Sequence, residues 1–426
     1  MNILLTALGS AGDVHPLAGL GARLMRRGHQ VTLFCSPRFE PLVRGLGLPF
    51  EPIGTAAEFA AVQRDPDLWH PLRGFGTVVR FGILPTMRRI YQAIAERYVP
   101  GSTVVGAHSL DFGARLAQEK LGVPVATIHL APAVFRSVYL PPVLLPGVSG
   151  GLLPRWAIRF GYWLADTIVV DPPLAGPVNA LRRELNLPPV RRLLDRWWYS
   201  PDRVVGLFPP WFGPPQPDWP PQTVLTGFPL WDAGELITAP ESVREFLDQG
   251  DRPIVFTPGS AMIHARAFFQ AAVDACWRLG RRGILLTGHA PQLPRALPRG
   301  VQHFDYVPFS QLLPHACAIV HHGGIGTTAQ GLAAGIPQLV MPMAHDQHDN
   351  AARLVRLGVA ATLRPRGFRG PAVARAVRRL VDSSRVAARC RDIARQLNGV
   401  DGLATACAVL EQLGSRAEAN RPVAGA

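Results

Sequence analysis

The chain has 426 residues, of which 48% are hydrophobic and 17% are charged, and its formal net charge is +14. This length exceeds the size at which one hydrophobic core usually divides, and the composition excludes a disordered chain, so two globular domains are expected. The arginine excess could attract a nucleotide diphosphate, an anionic lipid or nucleic acid. Because the sequence has no basic runs interleaved with aromatic residues, a nucleic-acid partner is not expected.

The cysteines and the N-terminus indicate a cytoplasmic protein. The five cysteines are scattered without a CxxC or zinc spacing, which is typical of reduced thiols. Met1 leads directly into an apolar strand without the features of a signal peptide, and no apolar run approaches the roughly 20 residues of a membrane span. Residues 152–164, LLPRWAIRFGYWL, favour a buried or partly covered helix. The alternative is an interfacial contact, which would place the protein peripherally at the inner face of the cell membrane.

The first half of the chain predicts a parallel, doubly wound sheet. Residues 2–8 form an apolar run that ends in the turn GSAGD, and residues 16–27 then have the spacing of an amphipathic helix. Further strands are predicted at residues 30–35, 103–106, 124–129, 204–208 and 223–226. The turn is not GxGxxG, and the second strand ends in Cys35 rather than in an acidic residue that would hold a ribose. A nicotinamide cofactor is therefore not expected.

The second half repeats this pattern after a boundary near residues 230–240. Its strands are predicted at residues 253–257, 283–287, 301–304, 318–321 and 338–342. The two halves together predict an α/β protein with two Rossmann-like, doubly wound domains facing across a cleft, where ligands usually bind. We expect domains at residues 1–232 and 240–390, a C-terminal helix at 391–415 and a flexible tail at 416–426.

Residues 317–350 contain the clearest chemical signal. A short apolar strand turns through HHGGIGTT into an alanine-rich helix, and a later strand leads to AHDQHDN. Glycines let the backbone approach an anion closely, and the first N–H groups of a helix attract negative charge. The second segment is rich in side chains that bind hydroxyl groups. This combination suggests a sugar nucleotide, with a turn that serves only tight packing as the alternative.

With HHGGIGTT and HDQ in place, the sequence resembles the family 1 glycosyltransferases of the GT-B fold. Within that family it is similar to the bacterial rhamnosyltransferases of mono-rhamnolipid biosynthesis over nearly its whole length, in segments such as GSAGDVHP, DPDLWHP, FPPWFGPPQPDWP and TGFPLWD. The resemblance implies an inverting, metal-independent single displacement. It implies no cofactor besides a nucleotide-sugar co-substrate, dTDP-rhamnose or a UDP-hexose. The acceptor would bind the N-terminal domain and the donor the C-terminal domain, and the C-terminal helix would cross back to the first domain.

The resemblance also assigns roles to individual residues. Asp13 matches the acidic general base, which the chemistry requires because an alcohol has too high a pKa to attack unaided. A role of Asp13 as a helix N-cap is the alternative, and His15 is a rival base. His321 matches the first histidine of the family motif, whereas His322 is expected to be structural. The donor-binding residues implied are Gly259, Ser260, Tyr306, Val307, His321, Gly323, Gly324, Gly326, Thr327, Asp346 and Gln347.

The acceptor implied by the resemblance is a lipid-like hydroxyl compound, a hydroxyalkanoyloxy-alkanoate. Apolar residues of the first domain would hold it, and the candidates are His15, Trp69, Phe135 and Tyr139. One alternative is a UDP-glucose-dependent glucosyltransferase that acts on a sterol, terpenoid or polyketide alcohol. Two others are a sugar-nucleotide 2-epimerase, which needs no acceptor, and a non-catalytic nucleotide- or lipid-binding partner.

Overall fold

The computed structural model describes residues 1–144 and 153–419. Within them the chain divides into two compact units. The first contains residues 1–142, 153–229 and 401–419, and the second contains residues 143–144 and 230–400. Each unit is built around a parallel sheet of its own.

The first unit contains a seven-stranded sheet in which the neighbouring strands run parallel. Its strands are β1 (Asn2–Ala7), β2 (Gln30–Cys35), β3 (Phe50–Pro52), β4 (Thr103–His108), β5 (Val125–His129), β6 (Arg203–Gly206) and β7 (Thr223–Leu225). In the order β3-β2-β1-β4-β5-β6-β7, the chain runs outward from β1 and then crosses back to β4. The carboxyl ends of β1 and β4 therefore lie side by side where the strand order reverses, the usual ligand position in such sheets.

The helices that follow these strands are more numerous than the sequence predicts. They are α1 (Ala11–Arg26), α2 (Glu40–Gly45), α3 (Ala56–Arg64), α4 (Gly74–Val78), α5 (Leu84–Arg97), α6 (Phe112–Leu121), α7 (Arg155–Ala165) and α8 (Asp171–Glu184). Residues 36–100, in which no helix or strand is predicted from the sequence, contain α2 to α5 and the edge strand β3. Pro41 and Pro85 stand in the first turns of α2 and α5, where proline is tolerated because that N–H has no helical partner.

The segment expected to be a buried or partly covered helix, residues 152–164, forms α7 from Arg155 onward, and residue 152 lies outside the described residues. The helix is covered on one side only: Ile158 is buried, whereas large apolar side chains such as Trp156 and Phe160 are exposed. Searching residues 1–144 and 153–419 finds no helix whose length and hydropathy would let it cross a membrane.

The second unit contains a six-stranded parallel sheet in the order β10-β9-β8-β11-β12-β13. Its strands are β8 (Ile254–Thr257), β9 (Gly283–Leu286), β10 (Val301–Phe304), β11 (Ala318–His321), β12 (Gln338–Val340) and β13 (Ala360–Thr362). Its helices are α9 (Glu241–Asp248), α10 (Arg266–Leu279), α11 (Phe309–Leu312), α12 (Ile325–Ala333), α13 (Gln347–Arg356), α14 (Gly370–Val381) and α15 (Ser384–Leu397). Thr257 of β8 pairs with His321 of β11, so the loops after these two strands are neighbours where the strand order reverses.

The last described helix, α16 (Gly402–Ala419), belongs to the first unit. Its preceding residue, Asp401, forms an ion pair with Arg23 of α1 at 2.6 Å. The predicted single helix over residues 391–415 is wrong, because α15 ends before α16 begins. Gly399, with a φ of +87°, stands in that break in a left-handed conformation that ends regular helix.

The boundary between the two units falls between residues 229 and 230, at the edge of the predicted range 230–240, and the second unit extends to residue 400 rather than to residue 390. The carboxylate of Asp232 accepts hydrogen bonds from the backbone N–H of Ser310 at 2.7 Å and from its hydroxyl at 3.1 Å, which holds this segment on α11. The predicted tail, residues 416–426, is helical as far as Ala419, and residues 420–426 lie outside the described residues.

Candidate active site

Asp13 lies in the first turn of α1, directly after β1. Its Oδ2 accepts a hydrogen bond from the backbone N–H of Ser10 at 2.7 Å and another from the Ser10 hydroxyl at 3.1 Å. Ser10 is the N-cap, and the two residues form a capping box. The alternative that Asp13 is itself the N-cap is therefore wrong, and the capping box fixes its side chain at the end of β1.

The second oxygen of Asp13 faces His108, which ends β4. Asp13 Oδ1 lies 3.4 Å from His108 Nε2. His108 Nδ1 accepts the backbone N–H of Leu110 at 3.3 Å, so in a neutral ring the proton stands on Nε2, towards the carboxylate. The side chain of Asp13 is 30% exposed and that of His108 only 4%, so Asp13 is the member of this pair that a substrate can reach.

Sequence reasoning missed His108, and a second layer of hydrogen bonds holds it in place. The Thr6 hydroxyl accepts the backbone N–H of His108 at 3.2 Å and donates to Asp111 Oδ2 at 2.7 Å. Asp111 also caps α6 by accepting the Ala114 N–H at 2.9 Å. The available signal was a polar residue at the carboxyl end of a strand predicted to lie in the same sheet as β1.

On the second unit, the ring of His321 is fully buried at the end of β11. Its Nε2 lies 2.9 Å from Gln338 Oε1, and its Nδ1 accepts the backbone N–H of Gly323 at 3.1 Å. Burial lowers the pKa of His321 to about 3, so the ring is neutral. The prediction that this ring contacts a diphosphate directly is corrected, because one of its nitrogens is engaged by Gln338 of β12 and the other by the backbone of the turn.

His322, which was expected to be only structural, is the histidine with an unused hydrogen-bonding nitrogen. Its Nδ1 is buried and has no hydrogen-bond partner among residues 1–144 and 153–419. Its ring fills the space beside two glycines, since a Cβ atom on Gly259 would lie 2.7 Å from Cε1 and one on Gly324 would lie 2.5 Å from Nε2. Burial lowers the pKa of His322 to about 4. An unsatisfied nitrogen in a glycine-lined turn indicates a position for a ligand oxygen or a water.

The backbone around His322 is arranged as the sequence predicts for an anion site. Gly259 and Gly323 have φ values of +99° and +97°, a conformation that favours glycine. Gly324 is the N-cap of α12, so Gly326 and Thr327 lie in its first turn, where backbone N–H groups lack helical partners and attract anions. Ser260 is exposed in the neighbouring loop after β8.

The two residues expected to bind donor-sugar hydroxyls differ in their accessibility. Gln347 is 2% exposed, and its Oε1 accepts the backbone N–H of Met343 at 2.8 Å and that of Ala344 at 3.3 Å. Asp346 is half-buried and its Oδ2 accepts a hydrogen bond from Asn350 Nδ2 at 2.7 Å. Gln347 therefore shapes the loop with its oxygen, and Asp346 is the more accessible of the pair.

The segment expected to hold the base is fixed by its contact with the start of the second unit. The Tyr306 hydroxyl donates to the backbone oxygen of Asp232 at 2.5 Å, and its ring remains partly exposed. Val307, the next residue, is buried. An anchored ring with an accessible face is suited to stacking on a planar base.

The four expected acceptor residues differ in how accessible they are. Phe135 is 1% exposed and stacks on Trp219 at 4.5 Å between ring centroids, so its expected place in an acceptor site is corrected to the core. Tyr139 is exposed, with the Arg155 guanidinium 4.1 Å from its ring centroid. Trp69 is half-buried at the end of a short 3-10 turn, and His15 is half-buried in α1.

The buried histidines lead to a prediction about acid stability. Burial lowers the pKa of His129 and of His321 to about 3, whereas these side chains titrate near 6.5 in an unfolded chain. His322 is lowered in the same way, so the unfolded chain binds more protons as pH falls from about 6.5 to 4, and the free energy of unfolding decreases. Asp111 opposes this loss because burial raises its pKa to about 6, so the folded state takes up that proton first.

Burial also lowers the pKa of His348, so the buried histidines together outweigh Asp111, and we expect lower stability at pH 5 than at pH 7 in urea unfolding followed by circular dichroism. A His129→Phe variant should have a shallower dependence, by up to about 1.4 kcal/mol per pH unit. Equal or greater stability of the unmodified chain at pH 5 would contradict this prediction.

Comparison with known proteins agrees with this architecture. Residues 3–140 match the glycosyltransferase family 28 N-terminal domain, and residues 283–399 match the C-terminal domain of erythromycin biosynthesis protein CIII-like proteins. The O-mycaminosyltylonolide 6-deoxyallosyltransferase of Streptomyces fradiae is 31% identical over 439 residues, covering 97% of each chain.

Two solved structures share the fold along nearly all of the chain. The glycotransferase of kitacinnamycin has a TM-score of 0.71 at 22% identity and covers 97% of this chain and 98% of its own. The spinosyn rhamnosyltransferase SpnG complexed with thymidine diphosphate has a TM-score of 0.68 at 17% identity, covering 97% and 100%. Since the Streptomyces relative matches along almost its whole length and both domains match their families, the protein belongs to the GT-B glycosyltransferases with a family 28 N-terminal domain and an erythromycin CIII-like C-terminal domain.

Proposed function

We propose that this glycosyltransferase transfers L-rhamnose from dTDP-rhamnose to a hydroxyl group of a lipid-like acceptor, a hydroxyalkanoyloxy-alkanoate. The sugar class is supported by two similar proteins whose names specify a 6-deoxyallosyl and a rhamnosyl group, both of which are 6-deoxyhexoses. The nucleotide is supported by the thymidine diphosphate in the spinosyn enzyme. The acceptor class is supported by the resemblance to the rhamnosyltransferases of mono-rhamnolipid biosynthesis.

The observation that carries the proposal is the position of Asp13. A partly exposed carboxylate stands at the carboxyl edge of the first sheet, held by Ser10 on one oxygen and facing His108 with the other. Asp13 removes the proton of the acceptor hydroxyl as its oxygen bonds to the anomeric carbon of the sugar. The bond from that carbon to the diphosphate oxygen breaks in the same step, so the configuration at the carbon is inverted. His108 then stabilises the charge of the carboxylate before it accepts the proton.

The second unit holds the leaving diphosphate. Negative charge grows on its oxygens as the bond breaks, and the first-turn N–H groups of α12 point their positive ends towards that charge. The loop at Gly259 and Ser260 supplies close backbone approach, and the unsatisfied nitrogen of His322 supplies a further polar contact. Asp346 accepts hydrogen bonds from sugar hydroxyls, and the Tyr306 ring stacks on the thymine.

A lipid acceptor resides in or beside a bilayer, so the proposal includes a peripheral position of the protein at a membrane surface. The first unit binds this acceptor. Trp69 and Tyr139 remain candidates for contact with it, since both keep accessible ring surface.

The test is an assay of the purified chain with dTDP-rhamnose or UDP-glucose, combined with a hydroxyalkanoyloxy-alkanoate or a sterol, with products identified by mass. We expect a mass increase of one deoxyhexose on the lipid acid, with dTDP-rhamnose as the preferred donor. Transfer only from UDP-glucose to the sterol would overturn the proposed substrates. Consumption of donor without an acceptor would favour a sugar-nucleotide epimerase instead.

A further inference from the structure

Helix α7 and the π-helical segment that continues it (Asp166–Val170) expose an unusual number of large apolar side chains. Counted from residue 153 to residue 169, the exposed ones are Leu153, Trp156, Phe160, Trp163, Leu164, Ile168 and Val169. Within α7, the positions 156, 160, 163 and 164 follow the spacing of one helical face. Single exposed apolar residues are common on proteins, but a contiguous group of this size marks an interaction surface. We call this group the α7 apolar face.

The opposite side of the helix is firmly anchored, so the exposure of this face is built into the fold. The Tyr162 hydroxyl donates to the backbone oxygen of Ser137 at 3.0 Å. Asp166, which is fully buried just after the helix, accepts a hydrogen bond from Arg136 at 2.5 Å. Ile158 is buried on the same side. Rotating α7 to hide its tryptophans would expose Ile158 and break both polar contacts.

The charges beside the α7 apolar face are positive. Arg155 and Arg159 are exposed and lie one helical turn apart along its edge. Asp166 is the one acidic residue in the stretch 153–170, and it is buried in its pair with Arg136. An apolar stripe bordered by arginine, with no exposed carboxylate, matches the interface of an anionic bilayer, where tryptophan rings lie at headgroup depth and guanidinium groups meet phosphates.

We infer that the α7 apolar face is a docking surface for an anionic phospholipid bilayer. The inference rests on the proposed function in that a lipid acceptor gives the docking its purpose, but vesicle binding itself needs no sugar donor. Pairing of two copies through this face fits less well, because a symmetric contact would bring Arg155 and Arg159 of both copies together without an acidic partner. The α7 apolar face therefore identifies which surface of the protein would bind a membrane, which the reaction chemistry alone does not specify.

The test is co-sedimentation of the full chain with vesicles, without donor or acceptor. We expect binding to vesicles of phosphatidylcholine with phosphatidylglycerol, and weaker, salt-insensitive binding to phosphatidylcholine alone. The double variant Trp156→Ser/Phe160→Ser should reduce partitioning by about tenfold or more, since its apolar anchors are lost. Arg159→Gln should reduce binding to the anionic vesicles by about fivefold and leave binding to the neutral ones unchanged.

Trp277→Ser is the matched control. Trp277 is 73% exposed, as is Trp156, and it too lies among arginines, Arg278 and Arg375 being beside it. The Trp277→Ser variant should bind vesicles as strongly as the unmodified chain, because no apolar face surrounds Trp277. The inference is overturned if the unmodified chain does not bind the anionic vesicles. It is also overturned if the double variant binds them as strongly as the unmodified chain, or if Trp277→Ser loses binding while the double variant keeps it. A dimer in sedimentation velocity that the double variant dissociates, without vesicle binding, would assign the face to self-association and also overturn it.

Discussion

Replacing Asp13 with asparagine is expected to reduce kcat of sugar transfer by about 10²- to 10⁴-fold, the range typical of a general base. The amide is isosteric and its oxygen still accepts the N–H of Ser10, so the start of α1 is retained. What is lost is the ability to take the acceptor proton. The dissociation constant for thymidine diphosphate should stay nearly unchanged, because the candidate donor residues belong to the second unit. Steady-state kinetics and calorimetric titration of the same preparation measure the two quantities.

Ser10→Ala is the matched control for this variant. It removes the side-chain cap of α1 and one hydrogen bond to the carboxylate, which should cost about 1 kcal/mol of stability, but it leaves the base in place. Its kcat should fall far less than that of Asp13→Asn. If Asp13→Asn keeps its turnover, the base is another group, and His15 becomes the first residue to examine.

The two adjacent histidines of the second unit should respond in opposite ways to substitution. His322→Ala is expected to weaken binding of thymidine diphosphate by about 10- to 100-fold, the effect of losing one hydrogen bond to a charged group. The unfolding temperature should fall less than in a His321 variant, because the Nδ1 of His322 has no partner among the described residues and only the packing of its ring beside Gly259 and Gly324 is lost. Titration calorimetry and differential scanning calorimetry together give both values.

His321→Ala should act mainly on stability. It leaves the Gln338 side chain and the Gly323 N–H without their buried partner, at a cost of about 2–5 kcal/mol. Any loss of nucleotide binding should follow from distortion of the turn. His321→Gln keeps a polar side chain at this position, so it should recover part of the stability and part of the nucleotide binding. The assignment fails if the His321 variants fold normally but lose binding while His322→Ala binds like the unmodified chain.

The main strands were predictable because parallel strands are buried on both faces and therefore appear as continuous apolar runs. β1 and β11 are such runs. The short edge strands β3 and β13, with the sequences FEP and AAT, carry no such run and were missed. The helices between residues 36 and 100 are hard to recognise in the sequence because proline usually interrupts a helix, whereas Pro41 and Pro85 stand in first turns.

The site was predictable where chemistry is carried by the backbone and less so where it depends on packing. The glycine turn and the helix start at residues 323–327 follow from local sequence. Which of His321 and His322 keeps a free nitrogen depends on Gln338, a neighbour that only the strand pairing brings close. His108 was missed for the same reason, since β4 meets β1 through the sheet order. Phe135 resembled a ligand contact in the sequence, but its stacking on Trp219 makes it a core residue.

The most direct test of the central claim, a single displacement with Asp13 as the base, is the anomeric configuration of the product. Nuclear magnetic resonance of the glycoside made from dTDP-rhamnose gives the one-bond carbon–hydrogen coupling at the anomeric carbon, which distinguishes the two anomers. We expect a configuration inverted relative to the donor. A product that retains the donor configuration would contradict it, because retention cannot arise from one in-line displacement.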